Sequence, residues 1–127
     1  RRPDCGYPFP ELAGVGVALK LAQALAPAEE RERVFLRFGE LAAVGTVADV
    51  MHLTGENRAL VRQGLELLGR TNRPGLRALI REAGLEPGAV PTAVTIGYGL
   101  APRINAAGRI EQAMVALELL HTREEDL

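Results

Sequence analysis

Asp49 stands just after a short apolar run, Leu41-Ala42-Ala43-Val44-Gly45-Thr46-Val47. Such a run fits a buried strand of a parallel sheet, and open α/β sheets bind ligands at the C-terminal ends of their strands. A carboxylate there offers the anionic oxygen that hard divalent cations, magnesium or manganese, take as a ligand. The plainer alternative is an Asp that caps a turn or a helix, the commoner fate of such a residue. A second candidate is Arg103-Ile104-Asn105-Ala106-Ala107-Gly108-Arg109. Two guanidinium groups and an amide beside small residues let a phosphate backbone approach closely. Alternatively, Arg103 and Arg109 cap helix ends or pair with acids such as Glu111. Arg58 with Arg62, and Arg73, Arg77 and Arg81, recur at i,i+4 spacing. They form either a stripe that follows a nucleic-acid backbone or, more commonly, a solvated face paired with Glu56, Glu66 and Glu82.

Other signals are weaker. Gly14-Val15-Gly16 before a helix resembles half of a dinucleotide fingerprint, but no strand precedes it and the third glycine is missing at the right spacing; close helix packing or a tight turn is the far commoner reason for such a stretch. Cys5 is the single cysteine, so neither an internal disulfide nor a thiolate zinc site can form. A reducing, cytoplasmic setting fits that usage. The formal net charge is -1, which lends no support to a polyanionic partner. The positive charge is nearly all Arg, Lys20 being the one lysine. No apolar run approaches the roughly 20 residues of a membrane span, no signal-peptide pattern is present, and no membrane partner is expected. The first residue is Arg1 rather than Met, so the chain is expected to begin inside a longer protein.

The elements that must position these groups follow from periodicity and punctuation. The 127 residues suffice for one domain with one modest core. With aromatics at 4%, Leu, Ala and Val must build that core. An extended, proline-rich lead-in over 1–10 precedes a helix over 12–26, which Pro27 ends. A second helix is expected over 29–40, a buried strand over 41–47, and a helix from an N-cap at Thr54 to about Leu68. Pro74 can open the next helix at its first position, which ends near Gly84. Residues 86–91 read as a loop, 92–100 as a short helix or strand, and 102–109 as a polar loop. A helix over 110–120 carries Ala113, Met114, Leu117 and Leu120 on one face, and its acidic tail runs to Leu127. One strand cannot make a sheet, so the other strands are expected outside this chain.

The stretch Val44-Gly45-Thr46-Val47-Ala48-Asp49-Val50, followed by Leu53-Thr54-Gly55-Glu56-Asn57-Arg58, resembles the fourth motif of the DHH phosphoesterases in its RecJ form. Further stretches resemble RecJ in the same order: Pro3-Asp4, Tyr7-Pro8-Phe9 and Leu12 to Ala18 upstream, then Arg73-Pro74-Gly75-Leu76, and last Leu100 to Arg109. The resemblance covers essentially the whole chain. It implies that Asp49 binds a catalytic divalent metal, usually manganese, within a two-metal site whose other ligands come from earlier motifs. None of those motifs is present, and neither His52 nor His121 lies in an Asp-His-His context. His52 is a departure, since proline is usual there; its closeness to Asp49 in sequence leaves a metal role open beside that of a surface histidine.

The combined expectation is an α/β fold. Residues 1–109 form the C-terminal part of a DHH-type domain, a parallel sheet with flanking helices, of which this piece is predominantly α-helical. Residues 110–127 begin an inter-domain connector helix. The implied activity is metal-dependent 5′-3′ exonuclease hydrolysis of single-stranded DNA with Mn2+ or Mg2+, in DNA repair and recombination. This piece would be inactive alone, with the missing parts of the same protein as its partners. Asp49 is expected as metal ligand, and Arg103, Asn105 and Arg109 as nucleic-acid contacts. The rivals are another DHH phosphoesterase, acting on oligonucleotides or cyclic dinucleotides, and a non-catalytic helical interaction module.

Overall fold

A computed structural model describes residues 4–86, 88–110 and 113–123, with backbone alone at 108–110. It divides into two compact units, Arg1–Gly64 and Leu65–Leu127. In the first, α1 (Gly14–Leu25) leads through a 3-10 turn (Ala28–Glu30) into α2 (Arg31–Ala48) and then α3 (Gly55–Leu68), within which the division falls. In the second, α4 (Pro74–Glu82) is followed by a π-helical turn (Thr95–Leu100) that runs directly into α5 (Ala101–Ile110), and then by α6 (Ala113–His121).

The expected strand over 41–47 is instead the C-terminal half of α2, which continues unbroken from Arg31 to Ala48. Its buried residues are Gly39, Glu40, Ala42, Ala43, Val44 and Thr46. Val15 of α1 lies against Gly45, where an added Cβ would stand 2.7 Å from a Val15 methyl. On another side, Gly64 of α3 packs on Ala43 and on the Gly39 carbonyl. A helix covered on several faces needs small apolar residues all round and so loses the 3.6-residue period that would reveal it. Thr46, β-branched and apparently strand-favouring, is accommodated by donating its hydroxyl to the Ala42 carbonyl at 2.7 Å. The Gly14-Val15-Gly16 stretch opens α1, and its valine forms the contact with Gly45, which is the close-packing alternative.

Pro74 does occupy the start of α4, with Arg73 as N-cap. Leu76, Leu79 and Ile80 turn inward, and Gly75 lies so close to the Leu119 carbonyl of α6 that no Cβ fits. The predicted loop over 102–109 is helical. Thr92 and Thr95 exchange backbone N–H to hydroxyl bonds at 3.2 Å each, a reciprocal cap that starts the helix. Pro102 then falls inside it. Proline lacks a donor and clashes with the carbonyl four residues back; the preceding turn is widened, with Ala101 N–H reaching the Ile96 carbonyl. A π-turn of this kind lets the helix pass a proline instead of ending there. The expected helix over 110–120 is seen as α6 from Ala113, while Ile110 belongs to α5. The tail beyond Arg123, together with Pro3 and Glu111, lies outside the described residues. Among the described residues none is in a strand and no helix is long and apolar enough to cross a membrane.

Candidate functional site

Asp49 is the C-cap residue of α2, and it is exposed. The helix closes in a Schellman motif: Val50 N–H donates to the Val47 carbonyl at 3.0 Å and Met51 N–H to the Thr46 carbonyl at 3.3 Å. This closure puts Val50 in the left-handed region, with φ at 54°, where a β-branched residue is a true outlier. Asp49 therefore caps the wrong end of a helix for a carboxylate, since the C-terminal end of the dipole is negative. No hydrogen bond or ion pair engages its carboxylate among the described residues. His52 is exposed, and its part in the fold is played by its carbonyl, which accepts from Asn57 Nδ2 at 3.1 Å.

The chain beyond Asp49 is held by groups that periodicity does not reveal. Asn57, completely buried, also donates to the Glu11 carbonyl at 2.8 Å, and its Oδ1 finds no partner among the described residues. Gly55, with φ at +47°, faces the Phe9 ring 2.7 Å from where a Cβ would stand, so only glycine serves there. Tyr7 donates to both Glu56 carboxylate oxygens, at 2.8 and 3.1 Å, and Lys20 pairs with the same carboxylate. Burial pushes the Glu56 carboxyl up, but the hydrogen bonds from Lys20 and Tyr7 outweigh it and hold the group below the usual range. The hydrogen bond to Glu56 raises Lys20; burial, with Tyr7's own hydrogen bond to Glu56, raises Tyr7. This clasp joins the lead-in, α1 and α3. The signal for it was the Tyr-Pro-Phe and Gly-Glu-Asn blocks, whose partnership is nonlocal.

In the second unit, Arg103 donates to the Gly99 carbonyl at 2.7 Å and to the Glu82 carbonyl at 3.0 Å. It thereby satisfies a carbonyl at the end of α4, where a cation complements the dipole. Asn105 is exposed. Arg109 lies on α5, and its side chain is outside the described residues. Arg58, Arg62, Arg77 and Arg81 are exposed. Among the described residues no three His, Cys, Asp or Glu side chains gather closely enough to hold a metal. Asp49 fits as one carboxylate ligand of a hard cation, and the remaining ligands of such a site must come from elsewhere.

No family model matches the chain. Curated relatives do. It is 49% identical over 124 residues to the single-stranded-DNA-specific exonuclease RecJ of Bacillus subtilis, an alignment covering 98% of this chain and 15% of that protein. The Escherichia coli RecJ is 38% identical, with coverages of 92% and 22%. The Thermus thermophilus RecJ crystal structure with Mg2+ superposes with a TM-score of 0.77 at 41% identity, over 97% of this chain and 19% of that one. A crystal structure of exonuclease RecJ bound to manganese gives 0.79, again at 41% identity and 97% of this chain, against 31% of its own. The chain spans less than a quarter of the curated relatives it matches. In sequence and in fold it is RecJ-like over nearly its whole length, corresponding to one segment of that longer exonuclease.

Proposed function

We propose that this chain is a segment of a single-stranded-DNA-specific exonuclease that hydrolyses phosphodiester bonds from the 5′ end with Mn2+ or Mg2+, in cytoplasmic DNA repair and recombination. The observation that carries the reading is the 49% identity to a RecJ over 98% of the chain. Residues 1–109 then complete a DHH-type α/β domain whose parallel sheet is built by the rest of the protein, and 110–127 open the connector helix.

Asp49 is the metal ligand this chain contributes. An unengaged carboxylate at the negative end of a helix, beside a valine held at positive φ, is locally unfavourable twice over, and strain of that kind persists where function requires it. When bound, a pair of divalent ions supplies a water of lowered pKa and steadies charge on the phosphoryl oxygens. Arg103, Asn105 and Arg109 contact the DNA backbone. Arg103 gives two N–H groups to carbonyls, and a guanidinium has five.

The test uses the intact protein. With manganese it should release mononucleotides from 5′-labelled single strands, while the 127-residue chain alone releases none. Replacing Arg103 and Arg109 with Ala should lower the slope of log affinity against log salt by roughly 0.7 for each lost phosphate contact. An intact protein that leaves single strands undigested overturns the reading.

A further inference from the structure

The π-helical turn carries an unexplained side chain. Tyr98 is 84% exposed, between Gly97 and Gly99. It is far more exposed than the other tyrosine, Tyr7, whose hydroxyl is committed to Glu56. Neighbours one turn away on a helix are the residues about four apart. Here they are Val94, 67% exposed, and Pro102, also exposed, so the helical neighbours of the ring are apolar, and glycines stand directly before and after it. The turn is anchored. Gly99 abuts Ala83, leaving an added Cβ only 2.9 Å from the Ala83 methyl, and Arg103 ties the Gly99 carbonyl to the end of α4. Between Glu86 and Glu111 the only charged residues in the sequence are Arg103 and Arg109, and across from the turn the acidic residue next to Arg103 is Glu82, whose carbonyl it meets.

We propose that Tyr98 is a base-stacking residue for single-stranded DNA, its ring held on the anchored π-turn one helical turn before Arg103. This rests on the exonuclease reading above and assigns it a residue. An exposed aromatic ring close to arginine is a combination that grips single strands without reading sequence, because every base has a π-face. A π-turn is retained against poorer hydrogen-bond geometry, often at functional sites, and here it turns the ring outward while Ile96 and Leu100 go inward.

The experiment compares intact wild-type protein with Tyr98→Ala and Tyr98→Phe, with circular dichroism and the thermal midpoint as folding controls. Fluorescence anisotropy measures affinity for a single strand in calcium, which replaces the catalytic metal. Tyr98→Ala should bind roughly five- to a hundredfold more weakly, the range of one lost stacking contact. Tyr98→Phe should bind as wild type, and the salt slope should not change. On a strand with abasic positions across the contacted stretch, wild type and Tyr98→Ala should bind alike. Equal binding of Tyr98→Ala and wild type to the normal strand overturns the inference but leaves the exonuclease reading intact. So does a loss that persists on the abasic strand together with a lowered midpoint, which means the ring packs against another part of the protein. A wild type that binds no single strand defeats the underlying reading instead.

Discussion

Helices α2 and α4 end in the same hydrogen-bonded motif with opposite residue choices. At the end of α4, Gly84 takes the left-handed position with φ at 79°. Its N–H meets the Arg81 carbonyl at 2.9 Å and Leu85 N–H meets the Ile80 carbonyl at 3.3 Å. The last turn carries Arg81, and Arg103 arrives to cap Glu82. Every choice there suits a helix C-terminus. At the end of α2 the left-handed residue is Val50, 88% exposed and gaining little from burial, and the cap is an aspartate. One helix end is built for stability and its counterpart is not, which is the contrast on which the proposed role of Asp49 rests.

Three variants probe that contrast. The largest effect is expected from Asp49→Asn in the intact protein. Loss of a direct metal ligand should cost more than the roughly 10- to 100-fold typical of an outer-shell partner, while the fold is unharmed or slightly firmer, because a negative charge leaves the negative end of a helix. Steady-state turnover with circular dichroism as control reads both; near-normal turnover would make Asp49 a cap residue only. Next come the two reciprocal swaps at the left-handed position. Gly84→Val should destabilise by about 1–2 kcal/mol, the cost of a side chain at positive φ. Val50→Gly should stabilise by up to about 1 kcal/mol, since relief of strain is partly offset by the greater freedom of glycine when unfolded. Urea midpoints of the three proteins test this pair, and a destabilised Val50→Gly would show that the valine packs usefully.

Most of the helices were legible in the sequence because their signals are local. Pro27, Thr54 and Pro74 punctuate them, and α1, α3 and α4 stand within a residue or two of the expected spans. The α2 strand error arose where locality fails: Leu41 to Val47 is apolar because α1 and α3 cover it, and a helix covered on several sides is indistinguishable from a buried strand by pattern. The loop expected over 102–109 failed for another reason. Pro102 reads as a breaker, and nothing near it in sequence announces that a widened turn and Arg103 will carry the helix past it. Asp49 was visible as a candidate, and a cap was one of its two readings; that the cap lies at the C-terminus of α2 beside a strained valine was not visible, since both depend on where α2 stops.

The smallest effect is expected at the clasp of Tyr7, Lys20 and Glu56, and it has a characteristic pH dependence. The folded state holds Glu56 below its ordinary carboxylate value of 4.5. Its contribution is therefore fully present above that value and is lost as pH falls through the lower, folded one. Lys20 and Tyr7 are both raised, from 10.5 and 10.0, so theirs is present below those values and fades as pH rises through the folded ones. Between the two limits the clasp is complete. Lys20 and Tyr7 are each more than a third exposed, so solvent and salt screen the interaction, and Glu56→Gln should cost no more than about 1 kcal/mol at neutral pH. The thermal midpoints of wild type and Glu56→Gln should differ at neutral pH, converge as the solution is acidified past the folded Glu56 value, and draw together in high salt. A difference that stays constant from acid to neutral pH would mean that Glu56 acts by packing.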